Sequence, residues 1–252
     1  MCLLSLAFNA HPDFPLVFTG NRDEYHARPT SNAHWWDDVP DVLGGRDLQA
    51  GGTWLAINKS GRFGVVTNRP DLPAPDHDSK SRGELITGWL GNSDVISNLP
   101  KQHLNYGGFS LLLAKPGALQ LISGGNGAGK LLIQSLGNEI TGLSNTAADQ
   151  PWPKLTWLNQ QLAAHLHQVA TGKPDTAHLM SLLARTDPVP GNDLHPNLRG
   201  VASTPFVKGQ KYGTRCSTVI TISRKGKCNF VERSFGPGGA EAGESAYSFT
   251  LA

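Results

Sequence analysis

The sequence predicts an α+β protein in which two stacked, mainly antiparallel sheets are covered by helices, a four-layer αββα sandwich. Three observations predict it. Apolar runs of strand length recur toward both ends of the chain, while segments with helical spacing are confined to the middle. The 29 glycines and 17 prolines supply many turns. Layering of this kind is favoured because each sheet then has both faces buried. With no linker, composition break or internal repeat, one domain over 1–252 is expected.

Leu3 to Phe8 reads as a buried strand, and Leu16 to Thr19 as its partner across the His11-Pro12-Asp13 turn. The second strand delivers a polar cluster, Gly20-Asn21-Arg22-Asp23-Glu24, to its end beside the start of the first. Pro29 to Pro40, with Trp35-Trp36, is expected as a loop over the sheet. A strand entered through Gly51-Gly52 ends at Asn58, and a turn at Lys59-Ser60-Gly61 leads to its return strand, Arg62 to Thr67, which stops at Asn68-Arg69-Pro70. After a Pro/Asp-rich loop from Asp71 to Asp78, Ser81 and Glu84 have the spacing of a capping box for a helix carrying Leu85, Ile86, Trp89 and Leu90.

Four short strands follow, at 109–113, 119–122, 131–136 and 139–143. Gly124 to Lys130 has the glycine spacing of a phosphate-binding loop, but Leu131 stands where a hydroxyl should meet magnesium. It reads as a hairpin turn. Leu155, Leu158, Leu162, Leu166 and Val169 define an amphipathic helix, and a shorter one runs from about Asp175 to Arg185. A long loop is expected from Pro188 to Gly213, then a strand through Cys216 to Val219 and a return strand at Phe230 to Arg233.

Charge and composition exclude several functions. Lys+Arg 22 against Asp+Glu 20 leaves +2 with no basic run, which gives nucleic acid no footprint. No apolar stretch approaches the ~20 residues that span a bilayer. The first residues lack the features of a signal peptide, and three cysteines cannot all pair, so a cytoplasmic location with reduced thiols is expected. His165 and His167, two apart, do not share a helix face, and no metal site is expected.

The chemistry starts at Met1-Cys2. Cysteine is small enough for the methionine ahead of it to be trimmed, which would leave Cys2 with a thiol and a free α-amine. A free thiol titrates near ~8.5 and an α-amine at roughly 7.7–8.0, so one residue would hold nucleophile and base together. A cysteine there is equally at home as a small buried side chain. Arg22 and Asp23, returned by the hairpin, are placed to stabilise a thiolate or hold the amine. Asn68 and Asn145, at strand ends, have amide N–H groups suited to an oxyanion, and Arg215 is a second anion partner. Glu24, Trp35, Trp54 and Arg69 are the expected pocket residues.

Together these stretches resemble the NRDE family, also called the transport and Golgi organisation protein 2 family. The resemblance is carried by Met1-Cys2, Asn21-Arg22-Asp23-Glu24 with Arg28-Pro29, Gly44-Gly45-Arg46-Asp47, Gly51 to Leu55 and Thr67-Asn68. It continues with Ser81 to Leu85, Ser144-Asn145, Pro151-Trp152-Pro153-Lys154 and Tyr212-Gly213-Thr214-Arg215, in the family's order. The family is similar in turn to the cysteine branch of the N-terminal-nucleophile hydrolases, which cut amides.

What the resemblance implies is an amidohydrolase acting on a small amide, with Cys2 as nucleophile and Arg22, Asp23, Asn68, Asn145 and Arg215 around it. That branch separates its arginine from its aspartate, whereas Arg22 and Asp23 are adjacent, so Asp23 and Glu24 both stand as partners for the amine. The NRDE association with haem trafficking implies the alternative, a non-enzymatic carrier of haem or another amphipathic metabolite in the same pocket. His11, His26 and His34 are then the histidines placed near its mouth, and no required cofactor is implied.

Overall fold

A computed structural model describes residues 2–73, 79–91, 93–147, 150–190 and 202–252. The Met1 expectation and parts of both long loops, 71–78 and 188–213, lie outside these residues. In chain order the strands are β1 (Cys2–Phe8), β2 (Leu16–Tyr25), β3 (Thr30–Trp35), β4 (Val42–Asp47), β5 (Leu55–Asn58), β6 (Phe63–Asn68) and β7 (Phe109–Lys115). They continue as β8 (Ala118–Gly124), β9 (Leu132–Leu136), β10 (Glu139–Leu143), β11 (Tyr212–Ile222), β12 (Lys227–Phe235) and β13 (Glu241–Thr250). The helices are α1 (Gly83–Leu90), α2 (Val95–Gln102), α3 (Pro153–Gln168) and α4 (Thr176–Leu183).

The chain divides into two compact units. The first comprises Met1–Ala27, Asn138–Ser144 and Ala148–Thr250, the second Arg28–Gly137, Asn145–Ala147 and Leu251–Ala252. The first holds a six-stranded sheet in the order β10-β1-β2-β11-β12-β13. Every described pairing in it is antiparallel. Leu3, Ala7, Val17 and Val219 point from one face into a core with Leu155, Leu158, Leu162 and Leu166 of α3 and Leu179, Met180, Leu182 and Leu183 of α4. The heptad-like leucines of α3 therefore form one stripe, as their spacing predicts.

The second unit is a seven-stranded meander, β3-β4-β5-β6-β7-β8-β9. Val66, Leu111, Leu113 and Ile122 of its sheet pack on Leu85, Ile86 and Leu90 of α1 and Leu99 of α2. Its glycine-rich turn follows β8, with Gly125, Gly127 and Gly129 all at positive φ, as a tight hairpin connection demands. The α+β class with helices laid on sheets holds.

Several local expectations are corrected. Thr30–Trp35 is the edge strand β3, not a loop. Pairing to β4 overrides its weak pattern, since β4 itself begins at Val42 and reads through the glycines of Gly44-Gly45. The polar cluster at 20–24 does not follow β2; it is the second half of β2, buried as far as Asp23. Ser81 and Glu84 do not form a capping box: the residue capping α1 is Arg82, with no side-chain cap. The Glu84 carboxylate instead accepts from Tyr106 Oη at 2.6 Å. The sequence pattern predicts neither helix α2 nor strand β13; α2 carries a proline, and β13 is a solvent-facing edge with little apolar alternation.

Candidate active site

The register of three strands sets the geometry. On β1 and β2, Cys2 stands opposite Arg22 and Leu3 opposite Asn21. On β2 and β11, Arg22 is opposite Cys216, Asn21 is opposite Ser217 and Asp23 is opposite Thr214. Two residues of β11 flank the extra one, Arg215, so the strand is bulged at that position. Partners across an antiparallel ladder share a face, and neighbours along a strand alternate. Cys2, Arg22 and Cys216 therefore form a row on one face. Asn21 and Asp23 lie with Leu3 on the face that α3 and α4 cover.

Asp23 is held by residues of β11 and α3. It is 2% exposed. Its Oδ1 accepts from Thr214 Oγ1 at 2.7 Å, and its backbone carbonyl accepts from Tyr212 Oη at 3.1 Å. Its Oδ2 faces Lys154 Nζ at 3.8 Å, with both side chains fully buried. Glu24 is half-buried and folds back to accept from the Tyr25 backbone N–H at 2.8 Å. Of the two adjacent carboxylates, Asp23 is the one built into the sheet.

Asn21 is also buried, but its contacts are structural. Its amide donates to the carbonyls of Leu183 and Pro205 at 2.9 and 3.0 Å, and its Oδ1 accepts from Ser217 Oγ at 2.6 Å. Leu183 is the last residue of α4, whose terminal carbonyls have no helical donor, so the Asn21 amide caps that helix from the sheet.

Burial raises the Cys2 thiol above its ordinary value. The amino-terminal charge opposes the rise, the Asp23 carboxylate adds to it, and Arg22 with the backbone N–H of Asp23 lowers it again. Cys216 is raised much further, by burial first and then by Glu232, whose carboxylate it meets in a hydrogen bond. Cys2 and Cys216 flank Arg22 two strand spacings apart, roughly 10 Å, too far for a disulfide. All three cysteines are unbridged, and Cys216 pairs with Ser234 while Cys228 pairs with Ile222, so these two are out of register with each other.

Arg215, on its bulge, donates through Nη1 to the carbonyls of Tyr25 at 2.9 Å and His26 at 3.4 Å, fastening the end of β2. Burial, followed by the neighbouring charge of Arg22, lowers its titration. The first unit thus brings together Cys2, Arg22, Asp23, Glu24 and Arg215.

The second unit brings together Asn68 and Asn145, with Asn145 Nδ2 donating to the Asn68 carbonyl at 2.8 Å. Asn145 is buried and the Asn68 side chain is exposed. Arg69 is chelated by Asp71 at 2.8 and 2.5 Å and reaches Ser123 Oγ at 2.9 Å. The outer edge of the Trp54 ring lies against Gly45, where a Cβ would come within 2.2 Å of it. Trp35 carries Lys59 Nζ 5.1 Å over its ring. Of the histidines considered, His11 is buried, with one ring nitrogen on the Val169 carbonyl and the other accepting from the Asp13 N–H. Both of its nitrogens are engaged within the fold. Among the described residues no three His, Cys, Asp or Glu side chains gather as metal ligands would. No described helix is long and apolar enough to cross a membrane.

The arrangement of these motifs matches a known family: the model for Transport and Golgi organisation 2 covers residues 1–237. The chain belongs to this family. The Transport and Golgi organization 2 homolog of Mus musculus is 30% identical over 279 residues, covering 100% of this chain and 99% of the mouse protein. The Transport and Golgi organization protein 2 of Drosophila melanogaster is 26% identical, covering 93% and 92%. Among solved structures, a variant of conjugated bile acid hydrolase from Clostridium perfringens aligns with a TM-score of 0.51 at 10% identity, over 100% of this chain and 98% of that one. At that identity the likeness shows the fold alone, the α+β architecture described above.

Within this Transport and Golgi organisation 2 family member, Lys154 and Thr214 are the site residues that sequence reasoning missed. Both lay inside stretches already singled out. The available signal for Lys154 was its position directly after Pro153 at a helix start, where a cation opposes the helix dipole. Thr214 had no signal of its own, because only the register of β11 on β2 sets its hydroxyl against Asp23.

Proposed function

We propose that this family member is an N-terminal-nucleophile cysteine amidohydrolase acting on a small amide. The observation that carries the reading is the register of β1 on β2. With Cys2 opposite Arg22, the Cys2 nitrogen lies on the side of Asp23, whose carboxylate is fixed by Thr214. After loss of Met1 that nitrogen is a primary amine beside an oriented carboxylate, while the thiol shares a face with the Arg22 guanidinium.

The reaction follows from these groups. The α-amine of Cys2 takes the thiol proton, and the sulfur adds to the amide carbonyl carbon. Collapse of the tetrahedral adduct breaks the C–N bond, the amine leaves with the proton, and an acyl thioester remains. Water, deprotonated by the same α-amine, releases the acid and restores the thiol. Arg22 offsets developing negative charge on the Cys2 face. Arg215 is proposed as support for the strand end that carries Asp23.

The test is intact mass before and after a small thiol-directed electrophile, beside Cys2→Ser. Loss of Met1, a single adduct absent from C2S, and turnover of a member of an amide panel by wild type but not C2S are expected. Retained Met1, or labelling unchanged in C2S, would remove the chemistry from this scaffold.

A further inference from the structure

Lys154 is an expensive residue to place where it is. Its side chain is fully buried, it stands in the first turn of α3 against the positive end of the helix dipole, and among the described residues its Nζ makes no hydrogen bond. Two neighbours answer its charge: Asp23 Oδ2 at 3.8 Å and the face of Trp152 at 5.5 Å. The gap of 3.8 Å is longer than a hydrogen bond and leaves donors on the ammonium unspent. Asp23 is fixed from its other side by Thr214 Oγ1 at 2.7 Å. A buried cation and a clamped carboxylate thus face each other, with the carboxylate beside the amino end of β1.

We propose that Lys154 is a positioning residue for Cys2, resting on the nucleophile reading above. It holds the second oxygen of Asp23 toward the amino end of β1, and its positive charge there opposes protonation of the Cys2 α-amine and favours the thiolate. The amine is thereby kept near Asp23 for orientation without being locked as an ammonium, which could not accept the thiol proton. Burial lowers the titration of Lys154, while Asp23 and then Cys2 hold it up, so lysine and thiol lie within electrostatic reach of each other.

The experiment is the rate of Cys2 alkylation by iodoacetamide against pH, in wild type, K154M and K154R, with intact mass confirming Met1 loss and a thermal melt confirming the fold. The K154M midpoint is expected about one pH unit above wild type, and about a tenfold slower rate below it, with K154R close to wild type. A purely packing role would change the melt and leave the midpoint in place. A folded K154M with the wild-type midpoint overturns the proposal while leaving Cys2 as nucleophile. Should K154M not fold, K154Q is read by the same criterion. Retained Met1 in wild type overturns the nucleophile reading and this proposal together.

Discussion

Asn21→Ala separates the structural from the chemical half of the motif at 21–24. Truncation removes the donors of the Leu183 and Pro205 carbonyls and the acceptor of the Ser217 hydroxyl. The hydroxyl can rotate, but two buried carbonyls lose their donors at roughly 1 kcal/mol or more each, and the vacated volume adds to this. A loss of about 3 kcal/mol is expected, equivalent to a fall in Tm of about 6–12 °C for a chain of this size. Asn21→Leu restores volume but not donors and should recover less than half of the loss. Because Asn21 faces α4 and Cys2 faces the other way, alkylation of Cys2 in the folded variant should stay within about twofold of wild type. Urea unfolding and labelling kinetics measure both. An N21L protein within about 0.5 kcal/mol of wild type would refute the capping argument, and a large fall in alkylation rate would refute the assignment of faces.

Two further outcomes follow from the buried titrating groups. Cys216 is raised well above its ordinary value and Cys228 is pushed up to about 12 by burial. At about pH 8 native protein should therefore take a single electrophile adduct on Cys2 and three only in denaturant; rapid native labelling of Cys216 or Cys228 would contradict it. His165 accepts the Asp175 backbone N–H through Nε2 at 2.9 Å, which requires a neutral ring. Burial, followed by His178 and later His11, holds its titration below the usual value against the pull of Asp175. The unfolded chain then binds the extra proton first, so stability should fall as pH drops through about 6.5 and below. His165→Asn keeps an acceptor and should give a shallower fall between about pH 7.5 and 5.5; a parallel pH profile would show that His165 does not contribute.

Much of this protein was legible in its sequence because the signals were local. The β1–β2 hairpin needs only two apolar runs and a proline turn, and the leucine stripe of α3 follows from helical spacing alone. The motif stretches identified the family without any coordinates, since they recur in order along nearly the whole chain. Strand β3 was not legible, because a half-exposed edge strand takes its conformation from its partner and not from its own pattern. Nor was the division of labour at 21–24 visible: alternation on a single strand sends Asn21 and Asp23 to one face and Arg22 to the other, but only pairing with β11 shows what each face meets. The sequence by itself determined that a cysteine with a potential free amine begins a strand beside an Arg-Asp pair. The tertiary structure decided that Asp23 is clamped between Thr214 and a buried Lys154, since hydrogen bonds and desolvation depend on residues more than a hundred positions apart being held within a few ångströms.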